Sequence, residues 1–174
     1  MNEYKAKVIK VVDGDTIDVD IDLGFSVILA KQRIRLYGID TPESRTRDLE
    51  EKFYGKLSAQ FLKDRCKKGS YITLRTHLDK KGKFGRILGE LIVDGKNLNT
   101  QMIKEHLAVK YFGQSKDDIE SAHLKNRRKL TGVYEMAKGI GTYGTTRGRP
   151  PKPSTRKPSV VTQPKKKKTK KRVK

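Results

Sequence analysis

Asp13-Gly14-Asp15 sits between two strand-like stretches, Ala6-Lys7-Val8-Ile9-Lys10-Val11-Val12 before it and Thr16-Ile17-Asp18-Val19-Asp20-Ile21-Asp22 after it. An Asp-Gly pair between two such runs is a hairpin signal. In the second run Ile17, Val19 and Ile21 alternate with Asp18, Asp20 and Asp22, so the spacing predicts one buried face and one solvated acidic face. A hairpin at the start of the chain points to an antiparallel sheet.

Outward from the hairpin, Val27 to Leu29 and Arg33 to Tyr37 form a third strand region that ends at Gly38. From about Asp48 to Lys67, Leu49, Phe53, Leu57, Phe61 and Leu62 recur at helical spacing, and Gly69 closes the segment. Tyr71 to Leu78 alternates again, Lys80-Lys81-Gly82-Lys83 makes a basic turn, and Arg86 to Val93 returns as a strand before Asp94-Gly95. Leu98 to His106 and Asp117 to Leu130 read as helices; Asp117 and Asp118 suit the positive end of the second, and Arg127, Arg128 and Lys129 its negative end. Three strands, a helix, two strands and more helix predict a mixed α+β domain over residues 1–138. The expected architecture is a five-stranded barrel of the OB-fold type with about three helices.

Charge divides the chain. Lysine and arginine number 41 against 20 acidic residues, a net +21. From Arg147 to Lys174 there are 13 basic residues and no acidic one, which leaves +8 for the rest. Five of the six prolines fall in the same stretch, and so little apolar content cannot build a core, so residues 139–174 are expected to be a disordered tail. The excess favours a polyanionic partner, nucleic acid, through salt-dependent phosphate contacts. No amphipathic basic helix or lipidation signal accompanies it, which argues against a membrane. Cys66 is the only cysteine and reads as a helix-surface or half-buried residue. With no signal-peptide core at the N-terminus, an intracellular protein is expected, cytoplasmic, nucleoid-associated or nuclear.

A phosphodiester repels nucleophiles, and its hydrolysis needs positive charge around phosphorus and a group that orients or deprotonates water. Asp15 follows the tight turn, and Asp40 ends a strand just before Thr41-Pro42. Two carboxylates and a backbone carbonyl are the hard oxygen donors that calcium or magnesium takes. Arg35, Glu43 and Arg86 supply two guanidinium groups and a spare carboxylate. His77, His106 and His123 lack the spacing of zinc ligands and are left out of the site.

Asp13-Gly14-Asp15-Thr16, the run Arg35-Leu36-Tyr37-Gly38-Ile39-Asp40-Thr41-Pro42-Glu43, and Phe84-Gly85-Arg86, in that order, resemble the thermonuclease family, the staphylococcal nuclease-like domain, from about Tyr4 to Tyr134. The resemblance implies an OB-fold barrel and a calcium-dependent phosphodiesterase acting on DNA and RNA. It implies that Asp15, Asp40 and the Thr41 carbonyl ligate the metal, with Asp13 in support. It further implies that Glu43 acts on the attacking water and that Arg35 and Arg86 grip the phosphate, leaving 3′-phosphate and 5′-hydroxyl ends. Where the family often brings two tyrosines to the nucleotide, this chain reads Lys110-Tyr111-Phe112-Gly113, so Tyr111 is the stacking candidate and Phe112 is assigned to the core.

In the tail, Arg147-Gly148-Arg149-Pro150 resembles the core of an AT-hook, in which arginines flanking a glycine enter a narrow A·T-rich minor groove. The expectation is a monomeric nuclease tethered to DNA. The alternative is an inactive nucleic-acid scaffold or an architectural protein.

Overall fold

The computed structural model describes residues 2–77 and 87–139. Five long strands carry the fold: β1 (Asn2–Asp13), β2 (Thr16–Asp22), β3 (Ile28–Leu36), β5 (Tyr71–His77) and β6 (Ile87–Val93). Three two-residue pieces, β4 (Ile39–Asp40), β7 (Lys96–Asn97) and β8 (Val109–Lys110), and three helices, α1 (Leu49–Arg65), α2 (Leu98–Lys104) and α3 (Lys116–Gly139), complete it. The long strands run in the order β3-β2-β1-β5-β6. Neighbours are antiparallel, and β3 pairs in parallel with β6, Ile34 opposite Ile87 and Leu36 opposite Gly89. That last pairing closes the sheet into the expected five-stranded OB-fold barrel.

The alternating apolar residues explain the closure. Ile17, Val19, Ile34, Leu36, Leu74 and Leu91 point inward with essentially no exposure, and Leu62, Leu98 and Met102 bring α1 and α2 onto the same core. Each such side chain contributes about 1.5–3 kcal/mol on burial. β4 and β8 form a separate ribbon, Asp40 opposite Val109. These short pieces carry no periodic signal, and the sequence does not predict them.

The acidic face of β2 is not solvated as its alternation suggests. Asp18 is only 8% exposed and accepts bonds from Arg33 Nε at 2.8 Å and Nη2 at 3.1 Å. Asp20 accepts the Lys31 N–H and Asp22 the Gly24 N–H, both at 2.8 Å. All three aspartates therefore serve the β2–β3 hairpin. The Arg33 hydrogen bond, opposed by burial and assisted by the charges of Arg33 and Lys10, holds the Asp18 carboxyl below its ordinary value.

Two glycines bring the helical layer close to the barrel. A Cβ on Gly14 would lie 2.8 Å from both Ser58 Cβ and Thr41 Oγ1, and one on Gly55 would lie 2.6 Å from the backbone of Pro42, Glu43 and Ser44. The hairpin tip, the loop after β4 and α1 are thus pressed together. Asp48 caps α1, its side chain accepting from the Glu50 and Glu51 N–H groups. Cys66 closes that helix and is buried, 2% exposed, against expectation. Burial pushes its thiol up to about 11, which removes any case for a reactive cysteine.

α3 continues past the basic cluster at Arg127 to Lys129, where helix-end charge suggests a stop. Tyr134 explains the extension: its ring packs 5.1 Å from Phe53 and 5.8 Å from Tyr54. Among the described residues no helix is long and apolar enough to cross a membrane.

Candidate active site

Asp15, at the hairpin tip, accepts two bonds from Thr41 through one oxygen, Oδ2: from the hydroxyl at 2.9 Å and the N–H at 3.3 Å. Its other oxygen takes the Thr16 hydroxyl at 2.9 Å. Arg35, on β3 opposite Thr16, joins the two halves of the site. Its Nη1 contacts Asp15 Oδ2 and its Nη2 donates to Asp40 Oδ1 at 2.8 Å. Residues far apart in sequence are in this way gathered around one guanidinium that is 16% exposed.

They line a cleft of about 710 Å3 between the barrel end and α3, together with Asp13 and Glu43. Seven carboxylates border it, those of Asp13, Asp15, Asp40, Glu43, Asp48, Glu51 and Glu120, against the cations Arg35, Lys116 and Arg127. An acidic cleft in a strongly basic chain is a demand for cations. Burial pushes the Glu43 carboxyl above its ordinary value, and the negative charges of Asp13, Asp15, Glu51 and Asp40 act in the same direction. A carboxylate held in this way is the better proton acceptor.

The donor set fits a hard divalent ion. Asp15 and Asp40 converge on a single cationic group, with Thr41 bonded to the first of them, and oxygen is the only donor type these three residues offer. Among the described residues no cluster of three or more His, Cys, Asp or Glu is arranged for a metal, in keeping with a set of two carboxylates completed by a carbonyl.

His123, set aside on sequence spacing, belongs to this site. Its Nε2 lies 3.0 Å from Asp40 Oδ2, the side chain is 11% exposed, and Nδ1 is buried without a partner. The signal is helical rather than metal-like: Ile119, His123, Arg127 and Leu130 share the inward face of α3. Arg127 reaches Asp48 at 3.7 Å and Glu51 at 3.9 Å, fixing α3 over the cleft. Tyr111 is exposed and its N–H bonds the Gly38 carbonyl at 2.9 Å, but it does not line the acidic cleft. Phe112 is not core: it is 66% exposed. Arg86, the Lys80 to Lys83 turn and the segment Arg147, Gly148, Arg149 and Pro150 lie outside the described residues.

Residues 33–134 match the family model described as Staphylococcal nuclease homologue. The chain belongs to the staphylococcal nuclease family. The thermonuclease of Staphylococcus intermedius is 30% identical over 130 residues, covering 72% of this chain and 73% of that protein. An uncharacterized endonuclease of Escherichia coli is 33% identical over 118 residues, 67% of each chain. Endonuclease YhcR of Bacillus subtilis is 33% identical over 116 residues, 63% of this chain, and the match spans only 9% of that larger protein. The staphylococcal nuclease match opens at Arg33 and so takes in Arg35, Asp40, Thr41, Glu43, Arg86 and His123. Asp15 lies before it; its place in the site rests on its contacts with Thr41 and Arg35.

Proposed function

We propose that the chain is a metal-dependent nuclease that hydrolyses phosphodiester bonds of DNA and RNA and is held on DNA by its basic tail. The observation that carries the reading is Arg35 spanning Asp15 and Asp40 inside the cleft that also holds Glu43. Family membership and the names of the thermonuclease and endonuclease relatives support it.

A divalent cation, calcium on the family resemblance, would be held by Asp15, Asp40 and the Thr41 carbonyl and would supply positive charge to the phosphoryl oxygens. Glu43 takes a proton from the attacking water as the water oxygen bonds to phosphorus. Arg35, joined by Arg86, faces the charge that builds on the phosphoryl oxygens. The bond from phosphorus to the 5′ oxygen breaks and that oxygen takes up a proton, so one water is consumed and 3′-phosphate and 5′-hydroxyl ends result. His123 and Thr41 keep Asp40 and Asp15 in place. Residues 1–138 form the catalytic domain and 139–174 the tether, with Arg147 to Pro150 seeking A·T-rich minor groove.

The test is cleavage of plasmid and oligonucleotide DNA, and of RNA, in calcium, magnesium and chelator, with analysis of product ends. Glu43→Gln and Arg35→Ala are each expected to lower the rate by roughly 10²–10⁴-fold. Unchanged cleavage in both variants removes the proposed site, and binding without cleavage in any metal leaves the scaffold reading.

A further inference from the structure

A second cavity, of about 470 Å3, lies beside α2 and is lined by Tyr37, Ile39, Ile103, Lys104, Lys110 and Phe112. It shares no residue with the acidic cleft. Its volume is that of a small-molecule site. Phe112 stands 66% exposed with its ring edge toward Tyr37, centroids 5.9 Å apart. Tyr37 in turn stacks on His77 at 3.8 Å with an interplanar angle of 11°. Three rings therefore line up at one rim. Lys104 and Lys110 are exposed, and neither pairs with a carboxylate among the described residues.

This pairing of chemistries selects the ligand. A bare anion would use the lysines and leave the rings idle; an apolar molecule would use the rings and leave the lysines idle. A nucleotide within a single strand uses both, the base on the aromatic face and the phosphates on the ammonium groups. Placement adds a second argument. Ile39 lines this cavity and Asp40, the next residue on β4, lines the acidic cleft; successive strand residues face opposite ways. Tyr37 and Thr41 are separated by four residue steps, at most about 14 Å, or roughly four nucleotides at about 3.4 Å per stacked step.

We infer that the cavity beside Phe112 is a nucleotide subsite that holds a base and phosphate of single-stranded nucleic acid a few nucleotides from the bond cleaved in the acidic cleft. The inference rests on the nuclease reading for the identity of the polymer. It places a stacking aromatic at Phe112 rather than Tyr111.

The chain has no tryptophan, so Phe112→Trp in the full-length protein installs a single local reporter. A thymidine 12-mer is titrated in chelator, following tryptophan emission and, with a labelled copy, anisotropy. Quenching with the same midpoint as the anisotropy rise is expected. Phe112→Ala and Lys110→Glu should raise KM for the 12-mer by roughly five- to tenfold, leaving kcat near wild type and cleavage of a 4-mer unchanged. A rise in anisotropy with unchanged emission overturns the subsite, since the tail alone would account for binding. Cleavage by the wild type without quenching overturns the subsite and leaves the nuclease reading; quenching without cleavage in any metal does the reverse.

Discussion

His123 on α3 meets Asp40 on β4 across 83 residues of sequence, Nε2 to Oδ2 at 3.0 Å. Arg35 holds the other oxygen of the same carboxylate at 2.8 Å, so Asp40 is gripped from the barrel and from the helix at once. A carboxylate fixed at both oxygens has one orientation, and partners of this kind set the affinity of the ion that a ligand serves. His123→Ala should weaken calcium or terbium binding by roughly 10–100-fold, read by calorimetry or terbium luminescence on the protein without substrate. His123→Gln, which keeps a donor near the same place, should recover part of the loss. Equal binding by wild type and His123→Ala would show that Arg35 alone orients Asp40.

Gly55 ties stability to the site. An added methyl group would sit 2.6 Å from the backbone of Pro42, Glu43 and Ser44, and backbone yields less readily than the end of a side chain. Gly55→Ala is expected to cost about 1–3 kcal/mol in urea denaturation and to lower kcat by displacing Glu43. Gly132→Ala, whose Cβ would meet nothing within 4 Å, should spare both and act as the control.

Asp18 supplies a pH dependence that is separate from catalysis. Its carboxyl is held low mainly by the hydrogen bond from Arg33, so the folded state binds its proton more weakly than the unfolded chain. The contribution to stability is complete above the ordinary aspartate value and disappears as the pH falls through the lower folded one. Wild type should therefore be more stable than Asp18→Asn near neutrality, and the gap should close on acidification below about pH 4. Urea midpoints for the two proteins from pH 7 down to pH 2 measure this, and a gap that stays constant would assign the difference to shape rather than charge.

The barrel is legible in the sequence because its strands alternate and its turns carry Asp-Gly, and those signals are local. The run Arg35 to Glu43 is legible as a site for a similar reason, with four of its functional residues within nine positions. Other features are hidden because they depend on distant packing. The aspartates of β2 look solvated because Arg33 and Lys31 cannot be matched to them until the hairpin register is known. His123 gives no sign of its role because nothing near it in sequence contains Asp40. Gly14 has the look of a turn residue, whereas what demands a glycine there is the approach of Thr41 and Ser58. The apolarity of Phe112 suggests the core, yet its place at the end of the short β8 ribbon leaves the ring at the surface.

The basic tail is separable from the chemistry in a way that salt reveals. Residues 147–174 hold 13 of the positive charges and no negative ones, and the affinity of such a segment for duplex DNA falls with salt in proportion to the phosphates it neutralises. Deleting it should lower the affinity for long duplex DNA at moderate salt and flatten the plot of log affinity against log salt by roughly 0.9 for every phosphate that the tail neutralises. Cleavage of a 12-mer at saturating concentration should be unchanged, because the acidic cleft lies wholly outside the deleted segment. A truncated chain with the full salt slope would place the duplex contacts on the barrel and α3, and the tether would then have no role in holding the enzyme on DNA.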